Sequence, residues 1–470
     1  MNVEKRYQEQ ETFRDSMSTI DESGKRKWLF PKKPSGYWTK WRTWVSYFLL
    51  AFLFLAPFIR IEGQPLLQFN LLERKFIIFG QIFWPQDFHL FVLAMITLVI
   101  FVTLFTVVYG RLFCGWVCPQ TIFMEHVFRK IEYAIDGTWK EQMRLKKSGW
   151  TNEKIRKRVL KHVLFFAISF LIANTFLAYI IGSDALIDII TEPVTAHIGG
   201  LAAITVFSGV FYGVFAFFRE QVCIAVCPYG RLQGAMLDRQ SVVVAYDYGR
   251  GETRGKIRKN EDRDEVGKGD CIDCGHCVHV CPTGIDIRNG TQLECINCTA
   301  CIDACDEMME AVNLPKGLIR YTSEEQISTR KPFRFTGRAK AYTIVLAVLV
   351  GVVVTLLATR TEVEAIILRT PGMLYQQNDD GTIGNLYSYK IINKTNNDLE
   401  LEIKTVEEGY TIKMIGDAPS VAMQEVAEGA FFLNAQPEMF DKGKTETEVA
   451  IYDQNGELLE KIEMKIMGPL

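Results

Sequence analysis

Five apolar runs constrain the fold of this chain more than any other feature of its sequence. They cover approximately Trp44–Ile61, Phe88–Tyr109, Val159–Ile181, His197–Phe218 and Ala341–Leu357. An α-helix needs about 20 apolar residues to cross a bilayer, and each run approaches or reaches that length. Charged side chains occur only near the ends of the runs, at Arg60 and Lys161. The pattern argues against buried helices of a soluble core and predicts a transmembrane α-helical bundle of about five spans.

The basic residues predict the orientation of these spans, because cytoplasmic loops of membrane proteins are enriched in Lys and Arg. Eleven Lys and Arg residues lie between positions 129 and 161, whereas the loop 182–196 has three acidic residues and no basic one. Seven more lie between positions 25 and 42, just before the first span: Lys25, Arg26, Lys27, Lys32, Lys33, Lys40 and Arg42. We therefore expect the N-terminus and the regions 110–158 and 219–340 on the cytoplasmic face, and the C-terminus on the far side.

These features predict a multi-domain membrane protein. The expected parts are a cytoplasmic tail without a cleaved signal peptide (1–43), a four-helix transmembrane region (44–219), a cytoplasmic cysteine-rich domain (220–340), a fifth transmembrane helix (341–358) and an extracytoplasmic β-domain (359–470). The apolar stretch Leu66–Trp84 is split by Glu73, Arg74 and Lys75, so we expect an extracytoplasmic or interfacial loop there. Short alternating runs after residue 360, separated by turn signals such as Gly416-Asp417 and Asn455-Gly456, predict an all-β sandwich.

Eight of the 12 cysteines form two copies of the motif C-x2-C-x2-C-x3-C. The first copy runs from Cys271 to Cys281 and the second from Cys295 to Cys305. This is the spacing of bacterial ferredoxins with two [4Fe–4S] clusters, in which three close thiolates hold one cluster and the fourth holds the other. A first cysteine set (Cys271, Cys274, Cys277 and Cys305) and a second cysteine set (Cys281, Cys295, Cys298 and Cys301) are thus the predicted ligands.

Zinc is the alternative metal for cysteines at close spacing. Zinc sites pair two CxxC units across a spacer of about 15–20 residues and do not form octets, so iron–sulfur clusters are favoured. The second motif has Asp306 where the first has Pro282, which raises a question about the local turn. The formal net charge is −2. Nucleic-acid binders carry an excess of positive charge, so no nucleic-acid partner is expected.

The other four cysteines form an internal repeat at the membrane edge. Cys114 and Cys118-Pro119 follow the second span, and Cys223 and Cys227-Pro228 follow the fourth. Residues i and i+4 share one face of a helix with Cβ atoms about 5–6 Å apart, which is too far for a disulfide. Soft thiolates suit Cu(I), so these membrane-edge cysteines (Cys114, Cys118, Cys223 and Cys227) are a candidate copper site. Met124, His126 and Met236 could extend it, although buried packing is the alternative for all seven residues.

With these motifs the chain resembles the family of cytochrome c oxidase accessory proteins called CcoG, FixG or RdxA. The resemblance covers nearly the whole chain and includes the Cys281-Pro-Thr-Gly-Ile-Asp-Ile-Arg continuation. It implies a bacterial inner-membrane protein whose membrane-edge cysteines bind copper. It also implies an immunoglobulin-like C-terminal domain and reduction of Cu(II) to Cu(I) for assembly of a cbb3-type oxidase. The partners that it implies are oxidase assembly factors or a copper transporter.

Three functions remain open at this point. A metalloreductase would take electrons from an unknown cytoplasmic donor and pass them to copper. A quinol dehydrogenase would feed the clusters from quinol bound among the helices, and its relatives share the CxxxCP pairs. A non-enzymatic assembly scaffold would dock the β-domain onto oxidase subunits. The oligomeric state is a separate question, and a homodimer is an alternative to a monomer.

Overall fold

A computed structural model describes most of the chain. The described residues are 19–20, 23, 25–61, 63–71, 75–83, 88–258, 262–263, 265–332, 334–359, 361, 363–378, 380–395, 397–416, 418–423, 425–441 and 443–469. The first part of the predicted tail, Glu73, Arg74, Trp84 and Asp417 lie outside them. The chain divides into one compact unit of residues 1–59, 68–73 and 91–351 and a second of residues 60–67, 74–90 and 352–470.

Helices dominate the first unit. They are α1 (Tyr37–Leu55), α2 (Phe88–Tyr109), α3 (Leu112–Trp116), α4 (Pro119–Ile122), α5 (Arg129–Ile135), α6 (Trp139–Lys147), α7 (Asn152–Ile181), α8 (Ser183–Thr191), α9 (Ile198–Gly213), α10 (Pro228–Met236), α11 (Tyr248–Gly251), α12 (His276–His279), α13 (Ala300–Ala311), α14 (Glu324–Thr329) and α15 (Gly337–Ala358). Three π-helical turns, Phe123–Phe128, Val214–Phe218 and Val222–Val226, lie beside the CxxxCP motifs. Such turns are rare and are often found at functional sites.

Four described helices are long and apolar enough to cross a membrane. They span His89–Tyr109, Asn152–Ile181, Ile198–Phe218 and Gly337–Ala358. These helices contain nearly all of the second to fifth runs that the sequence predicts. The protein is therefore a membrane protein with an α-helical transmembrane region.

The first predicted span differs from the structure. Its helix, α1, begins seven residues earlier than Trp44 and ends at Leu55, and Arg60–Ile61 pairs as a short strand with Gln64–Pro65. Pro57 explains the early end, because a proline has no N–H to donate to the carbonyl of Leu53; that carbonyl accepts the hydroxyl of Tyr179 at 2.9 Å instead. Trp44 and Phe48 are 72% and 70% exposed and give α1 an apolar outer face, but Lys40 and Arg42 lie in its first half. Accordingly α1 is not among the four helices above.

Buried aromatic rings and ion pairs join the helices of the first unit. Phe128 stacks on Phe215 with ring centroids 4.4 Å apart, and Phe128 also meets Phe165 edge to face. Lys161 lies 2.5 Å from Asp136 and 3.5 Å from Glu132, and Glu132 also pairs with Arg219. All of these side chains are buried. Paired burial of this kind holds charged groups inside a helical bundle, because each charge has an opposite neighbour.

The cysteine-rich domain is closed by a two-stranded antiparallel sheet. Strand Val243–Tyr246 pairs with Ile319–Thr322, with Val243 opposite Thr322 and Tyr246 opposite Ile319. The pairing joins the two ends of the domain and encloses an apolar core that includes Ile285, Ile302 and Met309. Between the strands, α12 and α13 carry cysteines of the two motifs. This arrangement agrees with the predicted ferredoxin-like domain.

The second unit contains the predicted C-terminal sandwich. One sheet has the strand order Tyr410–Ile415, Val426–Ala435, Ile383–Asn393 and Val363–Arg369, with Gln376–Gln377 also paired to Ile383–Asn393. The other has the order Ser420–Val421, Leu399–Thr405, Lys444–Asp453 and Leu458–Met467. Its core includes Ile391, Phe431, Leu433 and Ile451, all fully buried. This unit also has short strands at Lys75–Ile78 and Gln81–Phe83, whereas most of the short strand Leu67–Asn70 belongs to the first unit. The all-β immunoglobulin-like fold of the C-terminal domain is confirmed.

Candidate redox site

The eight ferredoxin-type cysteines come together in the two predicted sets. Burial raises the pKa of Cys277 and of Cys305 to about 12, and Cys271 and Cys274 add to both shifts. In the second set, burial raises the pKa of Cys301 well above its ordinary value, and Cys298, Cys295 and Cys281 raise it further. All four cysteines of the second set line one cavity. The fourth cysteine of each motif thus lies with the triplet of the other, as the spacing predicts.

The two sets differ in their access to solvent. Cys274 of the first set is exposed, whereas no cysteine of the second set is. Burial raises the pKa of Cys295 to about 12 and that of Cys298 to about 11. An electron donor in solution would therefore reach the first set before the second.

The donor chemistry of both sets fits iron–sulfur clusters. Each set offers four thiols, the usual ligands of such a cluster. Neighbouring thiols raise one another's pKa, which favours the protonated thiols when no metal is bound. The positive charge of bound iron would act in the opposite direction and favour the thiolates. Among the described residues, no three or more His, Cys, Asp or Glu side chains are arranged to hold a single metal ion.

Asp306 has a structural explanation that the sequence alone did not supply. In the first motif the helix α12 ends before Cys281-Pro282, whereas in the second motif α13 continues through Cys305 to Ala311. A proline at 306 would interrupt α13. Instead the Asp306 carboxylate accepts a hydrogen bond from the backbone N–H of Gly317 at 2.8 Å.

Both CxxxCP motifs have the same local architecture. The first cysteine of each lies in a helical turn, Leu112–Trp116 or Val222–Val226. The second cysteine, Cys118 or Cys227, is the N-cap of the next helix, with proline at its first position and an extended ψ of 123° or 114°. The internal repeat is therefore present in the structure. The expectation that each pair shares one face of a single helix was wrong, because proline is preferred at the first position of a new helix.

The membrane-edge cysteines nevertheless converge. Burial raises the pKa of Cys223 to about 12, and Cys118, Cys114 and Cys227 each raise it further. Burial raises the pKa of Cys114 to about 11, and Cys118 and Cys227 raise it further. Its thiol donates a hydrogen bond to Oε1 of Gln233 at 3.4 Å. Gln233 is fully buried. The two halves of the repeat thus contribute thiols to one electrostatically coupled group.

The membrane-edge cysteines adjoin the second cysteine set. Cys114 packs in one apolar cluster with Cys298 and Cys301. A Cβ atom on Gly115 would lie 2.3 Å from the carbonyl oxygen of Ile296, so a side chain there would collide with the loop between Cys295 and Cys298. Two sulfur-rich sites therefore lie side by side at the membrane edge.

A chain of polar contacts fixes this junction. The indole N–H of Trp116 donates to the hydroxyl of Tyr321 at 3.2 Å, and that hydroxyl donates to the carbonyl of Asn297 at 3.2 Å. On the other side, the Asp303 carboxylate accepts the backbone N–H groups of Trp38 at 3.0 Å and Thr39 at 2.7 Å. Asp303 lies between Cys301 and Cys305 on α13, so a helix that carries two of the cysteines caps α1. Sequence reasoning missed these contacts, which join residues far apart in the chain.

Two buried arginines also escaped sequence reasoning. Nε of Arg42 donates a hydrogen bond to the carbonyl of Gly115 at 2.7 Å. From the sequence, Arg42 counted only as one of the basic residues that orient the first span. Arg111 donates to the carbonyls of Leu293 and Gly230. Its place three residues before Cys114 was the available signal.

Of the three residues considered as extensions of the site, Met124 and His126 are buried in the π-helical turn Phe123–Phe128. Burial lowers the pKa of His126 to about 3, with Arg42 and Lys130 lowering it further. Met236 is half-buried at the end of α10. His126 therefore lies beside Arg42. That Met124, His126 or Met236 belongs to a metal site stays a prediction.

Family models match three parts of the chain. Residues 91–136, with the first CxxxCP motif, match a 4Fe-4S binding domain. Residues 218–324, with the second CxxxCP motif and both cysteine sets, match a 4Fe-4S dicluster domain. Residues 353–469 match the IG-like fold at the C-terminus of FixG. These matches and the site geometry together identify a membrane-associated iron–sulfur electron-transfer protein.

The chain is similar in sequence to three bacterial proteins. Protein RdxA of Cereibacter sphaeroides is 36% identical over 387 residues, which are 79% of this chain and 80% of RdxA. Protein RdxB of the same organism is 33% identical over 82% of this chain and 83% of RdxB. The nitrogen fixation protein FixG of Rhizobium meliloti is 38% identical over 64% of this chain and 58% of FixG. On this similarity, and on the fold and cysteine motifs that accompany it, the chain belongs to the FixG/RdxA family.

Proposed function

We propose that this protein is a membrane-bound oxidoreductase that reduces Cu(II) to Cu(I), with copper held by the membrane-edge cysteines. The observation that carries the proposal is the contact between Gly115 and the Ile296 carbonyl, which brings these thiols beside the second cysteine set. Thiolates prefer Cu(I) and would favour the reduced ion as product. Two thiolates suffice for Cu(I), so the lack of a three-ligand ion site among the described residues leaves such a site open.

The first and second cysteine sets are the proposed ligands of two [4Fe–4S] clusters. When bound, such clusters supply one-electron transfer. The positions of the cysteines then suggest the order of the path: Cys274 of the first set is exposed to solvent, and Cys298 and Cys301 of the second set pack in one apolar cluster with Cys114. Each Cu(II) takes up one electron, which a cytoplasmic reductant supplies through the exposed first set.

The proposed location is the bacterial inner membrane, with both redox sites on the cytoplasmic side and the sandwich in the periplasm. The basic segment 129–161 supports this orientation, because cytoplasmic loops are enriched in Lys and Arg. The sequence resemblance supports a role in supplying Cu(I) during assembly of a cbb3-type oxidase. Oxidase assembly factors or a copper transporter are the proposed partners, and deletion of 361–470 should impair oxidase assembly if the sandwich docks onto them.

The decisive test is anaerobic reduction of Cu(II) by the full-length protein. Dithionite-reduced, desalted protein is mixed with Cu(II) and a Cu(I)-specific chelator, beside a variant with Ser at all four membrane-edge positions. We expect fast Cu(I) formation in the wild type and at least a tenfold slower rate in a variant that retains its iron and sulfide. Equal rates would show that electrons reach copper without the membrane-edge cysteines. Rapid turnover of a quinol analogue by a protein that leaves Cu(II) unreduced would favour the quinol dehydrogenase instead.

A further inference from the structure

Two guanidinium groups lie buried between the second cysteine set and the membrane-edge cysteines. Arg42 and Arg111 are 4% and 6% exposed. Arg42 reaches the first CxxxCP motif through the carbonyl of Gly115. Arg111 spans the gap, because it donates both to Leu293, just before the second ferredoxin motif, and to Gly230, just after the second CxxxCP motif.

Neither arginine has a carboxylate partner among the described residues. Their hydrogen bonds go to backbone carbonyls, and Nη2 of Arg42 and Nε of Arg111 have no hydrogen-bond partner in the described part of the chain. Burying a charge without an opposite charge costs several kcal/mol, so buried ions in proteins are normally paired or lie beside a metal site. The negative charge that balances these two cations must therefore come from another source.

Thiolates supply that negative charge. A cluster bound by four thiolates, and copper bound by thiolates, both place negative charge on the sulfur atoms. Arg111 stands three residues before Cys114 and donates to the carbonyl of Leu293, two residues before Cys295. Arg42 donates to the carbonyl of Gly115, which lies against the loop between Cys295 and Cys298. Glu125, next to His126 in the chain, is paired with Arg129 at 2.8 Å.

The first cysteine set has charges of both signs around it. Arg288 is paired with Asp286 at 2.7 Å and with Asp273 at 2.5 Å, and Arg263 donates to the carbonyl of Cys271 at 3.1 Å. Asp306 adds a carboxylate next to Cys305. The second set differs because its two buried arginines have no carboxylate partner among the described residues.

We propose that Arg42 and Arg111 are positioning residues whose buried positive charge makes the second cysteine set the preferred place for an electron. The added electron makes a thiolate-bound site more negative, and a cation held in a low-dielectric interior stabilises that state. Burial acts in the other direction, because it disfavours added charge. The inference is that the two arginines outweigh burial, so that electrons move from the exposed first set towards the membrane-edge cysteines.

This inference rests on the iron–sulfur part of the proposed function and does not depend on copper. The transfer that it describes moves one electron, so that the first site is oxidised by one electron and the second is reduced by one. No proton or bond is exchanged. Because the test below contains no copper, its failure is distinct from a failure of Cu(II) reduction.

The test is an anaerobic redox titration of the full-length protein in detergent, followed by electron paramagnetic resonance. A water-soluble paramagnetic relaxing agent identifies the signal of the first set, because Cys274 is exposed. We expect the signal that resists the agent to have the higher midpoint potential. A lower potential for that signal in the wild type would overturn the proposal, and this measurement requires no variant.

Variants then test the two residues directly. In R42Q and R111Q we expect the equilibrium constant for reducing the second set to fall at least tenfold, about 59 mV for a one-electron couple, with the first set unchanged. R42K and R111K keep the charge and should restore most of the potential. R288Q is the matched control beside the first set and should lower only the potential of that set. Unchanged potentials in R42Q and R111Q with full iron and sulfide content, or equal shifts of both signals, would contradict the proposal.

Discussion

Gly115 lies against the carbonyl oxygen of Ile296, at a distance that leaves no room for a side chain. The contact joins the middle of the first CxxxCP motif to the loop between two cysteines of the second set. Gly115 is buried within α3, where glycine is otherwise unfavourable. Its presence there is explained by the close approach of the two redox sites.

We therefore expect G115A to separate these sites. A methyl group 2.3 Å from the Ile296 oxygen forces the loop away, at a cost of about 1–3 kcal/mol in stability. Cu(II) reduction should slow more than the loss of folded protein explains, and the spectrum of the second set should change. G209A is the matched control, since a Cβ atom there meets nothing within 4 Å. Wild-type rates in G115A would show that the close approach is unnecessary.

Removing the cap of α1 should weaken the docking of the ferredoxin-like domain. In D303A the N–H groups of Trp38 and Thr39 lose their acceptor, and loss of a cap costs about 0.5–2 kcal/mol. Thermal bleaching of the iron–sulfur absorbance in detergent should begin at lower temperature. D303N keeps one acceptor oxygen and should lie between D303A and the wild type. An unchanged bleaching temperature in D303A would show that the cap contributes nothing to stability.

The buried ion pairs between α5 and α7 should be far more sensitive than exposed ones. K161M leaves Asp136 without its cation and removes one of the cations beside Glu132, and breaking a buried pair costs about 3–5 kcal/mol. K157A breaks the exposed pair with Glu153 and should cost less than about 1 kcal/mol. Thermal unfolding of both variants in detergent measures the difference. Similar midpoints for the two variants would contradict this explanation of the helical core.

The same network predicts an acid-dependent loss of stability. Burial alone would raise the pKa of Glu132, but Arg219, Lys161 and Arg129 reverse this and hold it below the ordinary value of 4.5. Because the folded-state pKa is lower than the unfolded one, Glu132 contributes its full stability above 4.5 and loses it as the pH falls through the folded value. E132Q should be less stable at neutral pH and lose less stability on acidification. Parallel pH profiles of the two proteins would rule out this role.

Local spacing is enough to predict which cysteines lie together, because it acts over a few residues; their role as cluster ligands stays a prediction. Three thiols within seven positions must lie close together. The three residues before the fourth cysteine direct it to the other set, independently of the rest of the fold. The C-terminal sandwich was predictable for a similar reason, since alternation along strands such as Ile383–Asn393 separates buried from exposed positions.

Other features depended on tertiary contacts that no local pattern contains. From the sequence, Arg42 looks like a basic residue of a cytoplasmic segment beside the first span. In the structure it is buried and donates a hydrogen bond to a residue 73 positions away. Arg111 is held by carbonyls 119 and 182 positions away. The i, i+4 interpretation of the CxxxCP pairs failed because Pro119 and Pro228 each begin a new helix, and this reorients Cys118 and Cys227.

The cap that Asp303 provides to α1 has a consequence for biogenesis. Trp38 and Asp303 are 265 positions apart, and chains emerge from the ribosome with their N-terminal end first. These two N–H groups of α1 therefore gain their carboxylate acceptor only after the segment from Cys301 to Cys305 has been synthesised and has folded into α13. Because those two cysteines belong to different sets, α1 reaches its final state only after both cysteine motifs exist. Translation order thus makes completion of α1 a late step that depends on the ferredoxin-like domain.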